Sequence, residues 1–252
     1  MNLSTLQGDE NLFLHRLQDI CEAGQWAPRF STFLTPRQLM IAQAFVQQRH
    51  YDGQVYFCGG FSDAVRQVLG AFPPHQPPDT ALFPIRGITV RYRTEDALTH
   101  RDFLGAMMNL LIKRESIGDI VPGDGQCALF VLESVEQVIL QELKKVGSAG
   151  VRCEQGTLAF TVRQEFDPIH GTVSSTRIDC LVSLITGFSR EKSAKLIQAE
   201  RVQLQHVTVS VVSKEFCIGD TVSIRGWGKF IVDKIGSPTR KGRLPVDLRK
   251  YR

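Results

Sequence analysis

Residues 177–231 read RIDCLVSLITGFSREKSAKLIQAERVQLQHVTVSVVSKEFCIGDTVSIRGWGKFI, and the hydrophobic period of this stretch changes midway. Arg177 to Leu184 has the spacing of a short amphipathic helix with a basic flank. A turn through Thr186 and Gly187 leads to a second helix from about Ser189 to Ala199. Ser189 stands where an N-cap belongs, its hydroxyl able to accept an orphan backbone N–H of the first turn. Ala194 and Ile197 form the expected buried stripe with Leu196 beside it, while Arg190, Lys192 and Lys195 take the other faces. Beyond that the period falls to two, in Val202–Leu204, Val207–Val211, Thr221–Ile224 and Phe230–Val232. Gly219-Asp220 is a turn, and Gly226 and Gly228 flank Trp227 where the backbone bends or meets something closely. The expectation is two helices packed on a small twisted sheet, with the cations gathered on one side.

Charge is divided unevenly along the chain. Residues 177–252 hold fifteen Lys/Arg against seven Asp/Glu, a balance of +8; residues 1–176 hold fifteen against nineteen, a balance of −4, which together give the net +4. A basic module of this size repels itself unless a polyanion relieves it, so a phosphate backbone is the natural partner. A solvated basic face is the plainer alternative.

Upstream, residues 9–24 read as a helix ending at Gly24. Thr35-Pro36 opens a second with an N-cap and a first-position proline. Gln54–Cys58 reads as a strand, and Ser62 as the cap of a third helix to about Leu69. The proline-rich run 72–79 marks a boundary, which makes 1–78 a mainly helical N-terminal region. Ile85–Tyr92 is a strand, and Thr99 with Asp102 a capping box for a helix from Phe103 to Lys113. Strands follow at 117–121 and 128–132, then a helix capped by Ser134 with Val135, Val138, Ile139 and Leu143 on its buried side. One or two strands complete the region at 151–153 and 158–162. The order β-α-β-β-α-β over 79–167 is ferredoxin-like. Residues 168–176 read as a polar link into the module 176–252, and the stretches 238–243 and 248–252 as a basic tail, free or folded down on phosphates. The fold class is therefore α+β, in three parts.

Several classes of function find no foothold. No run approaches the eighteen apolar residues of a membrane span, and the N-terminus has no signal-peptide pattern. The six cysteines stand singly, without C-x-x-C pairs, which argues against zinc and disulfides and suits a reducing cytoplasm. His100-Arg101-Asp102 lacks the downstream Asn of a kinase loop, since position 107 is Met. Walker and Rossmann glycine loops are absent. No catalytic residue, metal or cofactor is expected.

Arg177-Ile-Asp179, Ser189-Arg190-Glu-Lys-Ser-Ala194-Lys-Leu-Ile197, Val202 and Gly219-Asp220-Thr-Val-Ser together resemble the S4 RNA-binding domain. The continuation Ser223-Ile-Arg225-Gly226-Trp-Gly228-Lys229-Phe230 is similar to its YlmH-like branch, encoded among bacterial cell-division genes. Phe33-Leu-Thr-Pro36, Gly59-Gly60 with Ala64 and Arg66, His100-Arg-Asp-Phe-Leu-Gly105-Ala-Met, and Arg114-Glu-Ser-Ile-Gly118-Asp119 carry the same resemblance through most of the chain. Three departures stand out. Glu200 and Gln205 replace a usual Gly and Asn, where a left-handed backbone would be strained, and Val65 replaces an acidic residue.

The resemblance implies a monomeric, non-enzymatic protein that binds rRNA and tRNA. Its implied setting is ribosome-associated quality control, on large ribosomal subunits blocked by peptidyl-tRNA. The rivals are an RNA-modifying enzyme with an appended S4 domain and a cell-division scaffold that binds protein. The phosphate-contact residues expected are Arg177, Arg190, Lys192, Lys195, Arg201, Arg225 and Lys229. Ser189 serves as cap, as phosphate donor, or as both; Asp179 orients Arg190 or Arg177. Trp227 either stacks on a base or ribose or packs on the sheet edge. Arg101 and Arg114 are either secondary RNA contacts or ordinary surface charges.

Overall fold

A computed structural model describes residues 3, 6, 8–51, 53–62, 64–157 and 166–251. They fall into two compact units, Met1–Val162 and Arg163–Arg252.

The first unit begins with α1 (Asp9–Gly24), β1 (Arg29–Phe33), α2 (Pro36–Arg49), β2 (Val55–Cys58) and β3 (Val68–Ala71), the strands pairing antiparallel in the order β1-β3-β2. Thr35 caps α2 as its sequence predicts: the Gln38 amide donates to Thr35 Oγ1 at 3.2 Å, and the Thr35 amide donates to Gln38 Oε1 at 2.9 Å. The helix expected from Ser62 to Leu69 does not form. Residues 64–67 are irregular and Val68 opens β3. Val68 and Leu69 are both fully buried, in different clusters on opposite faces of the sheet, a two-sided burial that suits an inner strand. Residues 1–78 thus carry a three-stranded sheet besides their helices.

The chain continues through β4 (Ile85–Arg91), α3 (His100–Asn109), β5 (Ile117–Gly123), β6 (Gln126–Leu132), α4 (Glu133–Glu142), the two-residue strands β7 (Lys145–Val146) and β8 (Ala149–Gly150), and β9 (Arg152–Gln155). The four long strands form an antiparallel sheet in the order β5-β6-β4-β9. The expected strand at 158–162 lies outside the described residues. Thr99 and Asp102 make the capping box, Asp102 Oδ2 accepting from the Thr99 amide at 2.9 Å and its hydroxyl at 2.6 Å. Ser134 caps nothing, because β6 runs straight into α4 and Leu132 takes the cap position. On α4 Val138 faces solvent, while Glu136 is buried beside Ile139.

Cys127, Leu129 and Val131 of β6 face a core built with α3 and α4, whereas Ala128, Phe130 and Leu132 face the other way. There they meet Phe33, Val68, Phe72 and Phe83. The two sheets therefore pack face to face through an aromatic layer, and residues on both sides of the expected boundary at 78 share it. Gly118 is small for this reason: a Cβ there would lie 2.6 Å from the Phe33 ring. Arg66, 6% exposed, closes the layer's edge. Its Nε donates to Ile117 O at 2.9 Å and its Nη2 to Phe33 O at 3.1 Å and Arg114 O at 3.2 Å. Burial and the nearby Arg114 pull this guanidinium down to about 10, against the opposing Asp119, so it stays charged at neutral pH.

The second unit is one six-stranded sheet, order β10-β15-β14-β13-β11-β12, carrying two helices. Its elements are β10 (Phe166–Val173), α5 (Ile178–Thr186), α6 (Arg190–Gln198), β11 (Val202–Leu204), β12 (Val207–Thr208), β13 (Thr221–Ile224), β14 (Gly228–Ile235) and β15 (Leu244–Tyr251). Two expectations are corrected. The supposed link 168–176 is mostly β10, an edge strand that tolerates Pro168. The supposed tail supplies β15, paired with β10 on one side and β14 on the other. Val246 and Leu248 bring it into the core, which its charged residues hide in the sequence. Ser193, rather than Ala194, joins Leu196 and Ile197 as the buried side of α6.

Arg66→Lys keeps the charge but cannot reach three carbonyls with a planar fork. We expect it to cost about 1–3 kcal/mol, read as a lowered chemical-denaturation midpoint for the first unit.

Candidate nucleic-acid interface

Asp179, in the first turn of α5, is 2% exposed. Arg177, the residue capping that helix, donates from Nε to Asp179 Oδ1 at 3.2 Å. Arg190, the first residue of α6, donates to Oδ2 from Nη2 at 2.6 Å and Nε at 2.9 Å. Burial pushes the carboxyl up, but the hydrogen bonds from Arg190 and Arg177 outweigh it and hold it below the usual carboxylate range. The expected role of Asp179 as an orienting group is what the structure has, with both arginines held at once. Each remains about half exposed, at 41% and 49% of its side chain.

Ser189 Oγ accepts from the Lys192 amide at 3.3 Å and so acts as the cap of α6. Just before it, Phe188 packs edge-to-face on Trp227, with ring centroids 5.3 Å apart. Lys192 Nζ lies 5.7 Å from the centre of the Phe188 ring. Trp227 sits in the β13–β14 turn beside Arg225, whose amide donates to Arg201 O at 2.9 Å while Arg201 Nη2 donates back to Arg225 O at 3.3 Å. Lys192, Phe188, Trp227, Arg225 and Arg201 therefore form one continuous strip. Trp227 is seen packed on Phe188, an aromatic that the sequence analysis did not single out. The signal was there in the bulky ring directly before an N-cap.

The remaining predicted residues are placed differently. Lys195 pairs with Glu191 at 2.8 Å on the exposed side of α6. Lys229 alternates along β14 with the buried Phe230, so it lies on the sheet face away from the helices. There it sits 4.5 Å from the Tyr251 ring centre. Arg114, in the first unit, is half-buried and donates to Ile117 O at 2.7 Å. Arg101 is exposed on α3.

The loops around β11 keep a left-handed backbone without glycine. Glu200 has φ 55°, Gln205 φ 50° and His206 φ 61°. The Glu200 and Arg201 amides close α6 on Ile197 O and Leu196 O, and Gln205 Nε2 donates to Asp220 Oδ1 at 2.7 Å. These bonds offset the strain of about 1–2 kcal/mol per residue.

Fold and surface together define a class, that of mixed α/β proteins whose C-terminal helix-and-sheet module presents a cationic, aromatic-backed strip. Residues 78–159 match the family model described as "Putative RNA-binding domain in YlmH". The chain is 30% identical over 235 residues to the "Ribosome-associated protein quality control protein P2" of Bacillus subtilis (strain 168), covering 90% of this chain and 89% of that one. A solved structure, "Cell division protein ylmH from Streptococcus pneumoniae", is 20% identical with a TM-score of 0.50, covering 60% of this chain and 93% of that one, a likeness of fold. The chain belongs to the YlmH family.

Asp179→Asn should cost about 1–3 kcal/mol at neutral pH. Because the folded pKa is depressed, the carboxylate's contribution is present above the unfolded value of about 3.9 and is lost as pH falls through the folded value. The stability gap between wild type and variant, measured by denaturant titration, should therefore narrow steadily below about pH 4.

Proposed function

We propose that the chain is a non-enzymatic RNA-binding protein that associates with the ribosome. On this reading it engages rRNA and tRNA on large subunits blocked by peptidyl-tRNA, as a cytoplasmic quality-control factor. The single observation that carries it is the strip formed by Lys192, Trp227, Arg225 and Arg201. It places exposed cations around an aromatic pair, Lys192 on α6 and the others in the loops and the turn beside it, which suits backbone and shape recognition of folded RNA. We read the second unit as an S4-type module, and the β-α-β-β-α-β sheet of the first as ferredoxin-like. The relative named as a ribosome-associated quality control protein, matched along most of both chains, supports the ribosomal setting.

The test is co-sedimentation with purified bacterial large subunits over a salt series. Wild type should pellet with them and lose affinity steeply with salt. Lys192→Ala and Arg225→Ala should each weaken binding and lower the log–log salt slope by about 1. A salt-insensitive interaction, or variants that match wild type in affinity and slope, would remove the strip from the interface.

A further inference from the structure

Three local rules are broken in succession along α3 and its exit. Gly105 stands in the middle of the helix, exposed, and a Cβ added there would meet nothing within 4 Å. No feature of the fold needs that glycine, although it costs the helix about 1 kcal/mol relative to alanine. Met108 is 46% exposed. Leu111, beyond the last turn, is 90% exposed with φ 59°, a conformation that a branched side chain adopts only under strain. The strain is locked in place, since the Leu111 amide donates to Met108 O at 3.0 Å and the Ile112 amide to Met107 O at 3.3 Å. Met107 and Ile112, on either side, are both core residues. A leucine is thus held out into solvent by a rigid turn where glycine would be more stable.

Arg101, Gly105 and Met108 follow one another at i, i+4 and i+7, along one helix face. Beside this ridge opens a cleft of about 600 Å³, lined by Arg101, Asn109, Glu142, Lys144 and Lys145 among others. Asp102, also on the cleft, is engaged in its capping box, which leaves three cations facing Glu142. A purely apolar partner would leave those cations desolvated without a counter-charge. A phosphate chain satisfies them and also supplies bases for the apolar prong.

The geometry points to this ridge and cleft as a second RNA contact, in which Leu111 and Met108 wedge against an unstacked base. The ribose-phosphate chain passes close over Gly105, and Arg101, Lys144 and Lys145 hold the flanking phosphates. Apolar wedges between bases, flanked by cations, are an established way to grip a deformed nucleic acid. The exposed leucine is tolerated because the bound state uses it, as strained positions at functional sites are. This inference rests on the reading that the chain binds RNA, and it locates a contact within residues 78–159, the segment matched by the family model described as a putative RNA-binding domain.

The experiment uses the full chain and two probes, intact large subunits and their deproteinised rRNA. Leu111→Gly relieves the left-handed strain and Gly105→Ala adds helix propensity, so each should raise the melting temperature by about 2–4 °C. Each should also weaken binding to both probes roughly tenfold. Stabilised variants with wild-type affinity would overturn the inference. So would a loss seen on intact subunits alone, since the occupant would then be a ribosomal protein. A parallel Lys192→Ala/Arg225→Ala double variant separates the two readings. If it loses binding while Leu111→Gly keeps it, the wedge falls and the strip stands; the converse removes the strip and keeps the wedge. Wild type that binds neither probe sinks both.

Discussion

The buried carboxylate of Asp179 is the point on which the C-terminal unit turns. An ionised group at 2% exposure is costly unless it is fully paired, and here two guanidiniums pair it from the first turns of two different helices. The consequence is geometric as well as electrostatic. Arg177 and Arg190 are fixed to one oxygen pair, so the starts of α5 and α6 are fixed to each other. The Phe188 turn that joins the helices is then held against Trp227, and with it the β13–β14 turn that carries Arg225. Arg177 and Arg190 thereby become a frame that positions the neighbouring cations, while each stays about half exposed.

A comparable device organises the first unit. Arg66 spends its guanidinium on three backbone carbonyls, from β1, from the turn before β5 and from β5 itself. Asp119 accepts from the Val65 amide at 2.6 Å. These bonds tie the irregular segment before β3 to the neighbouring sheet and seal the aromatic layer between the two sheets. The family signatures around Gly59-Gly60, Arg66 and Arg114–Asp119, separate in sequence, are parts of this one junction. Their hydrogen bonds join the two sheets at this edge.

The loops flanking β11 hold a left-handed backbone by hydrogen bonding. Glu200, Gln205 and His206 adopt the backbone that glycine or asparagine would adopt more easily, because the hydrogen bonds closing α6 and the β11–β12 turn leave little alternative.

What the sequence determined alone was local or periodic. The caps at Thr35, Thr99 and Ser189, the two C-terminal helices, the succession of strands and helices from β4 to α4 and the acidic partner of Arg190 were all legible, because each depends on neighbours within a few residues or on a signature motif. Tertiary structure decided the rest. Residues 168–173 and 244–251 look polar and basic, yet they are paired strands, since strand pairing over some eighty residues leaves no local mark. The helix expected at 62–69 yielded to burial on two faces of a sheet. Which cations gather on one surface was likewise unreadable, because net charge counts side chains without their places: Lys195 pairs with Glu191 on the exposed side of α6, Lys229 lies against Tyr251, and only the folded chain brings Arg201, Arg225 and Lys192 to one strip.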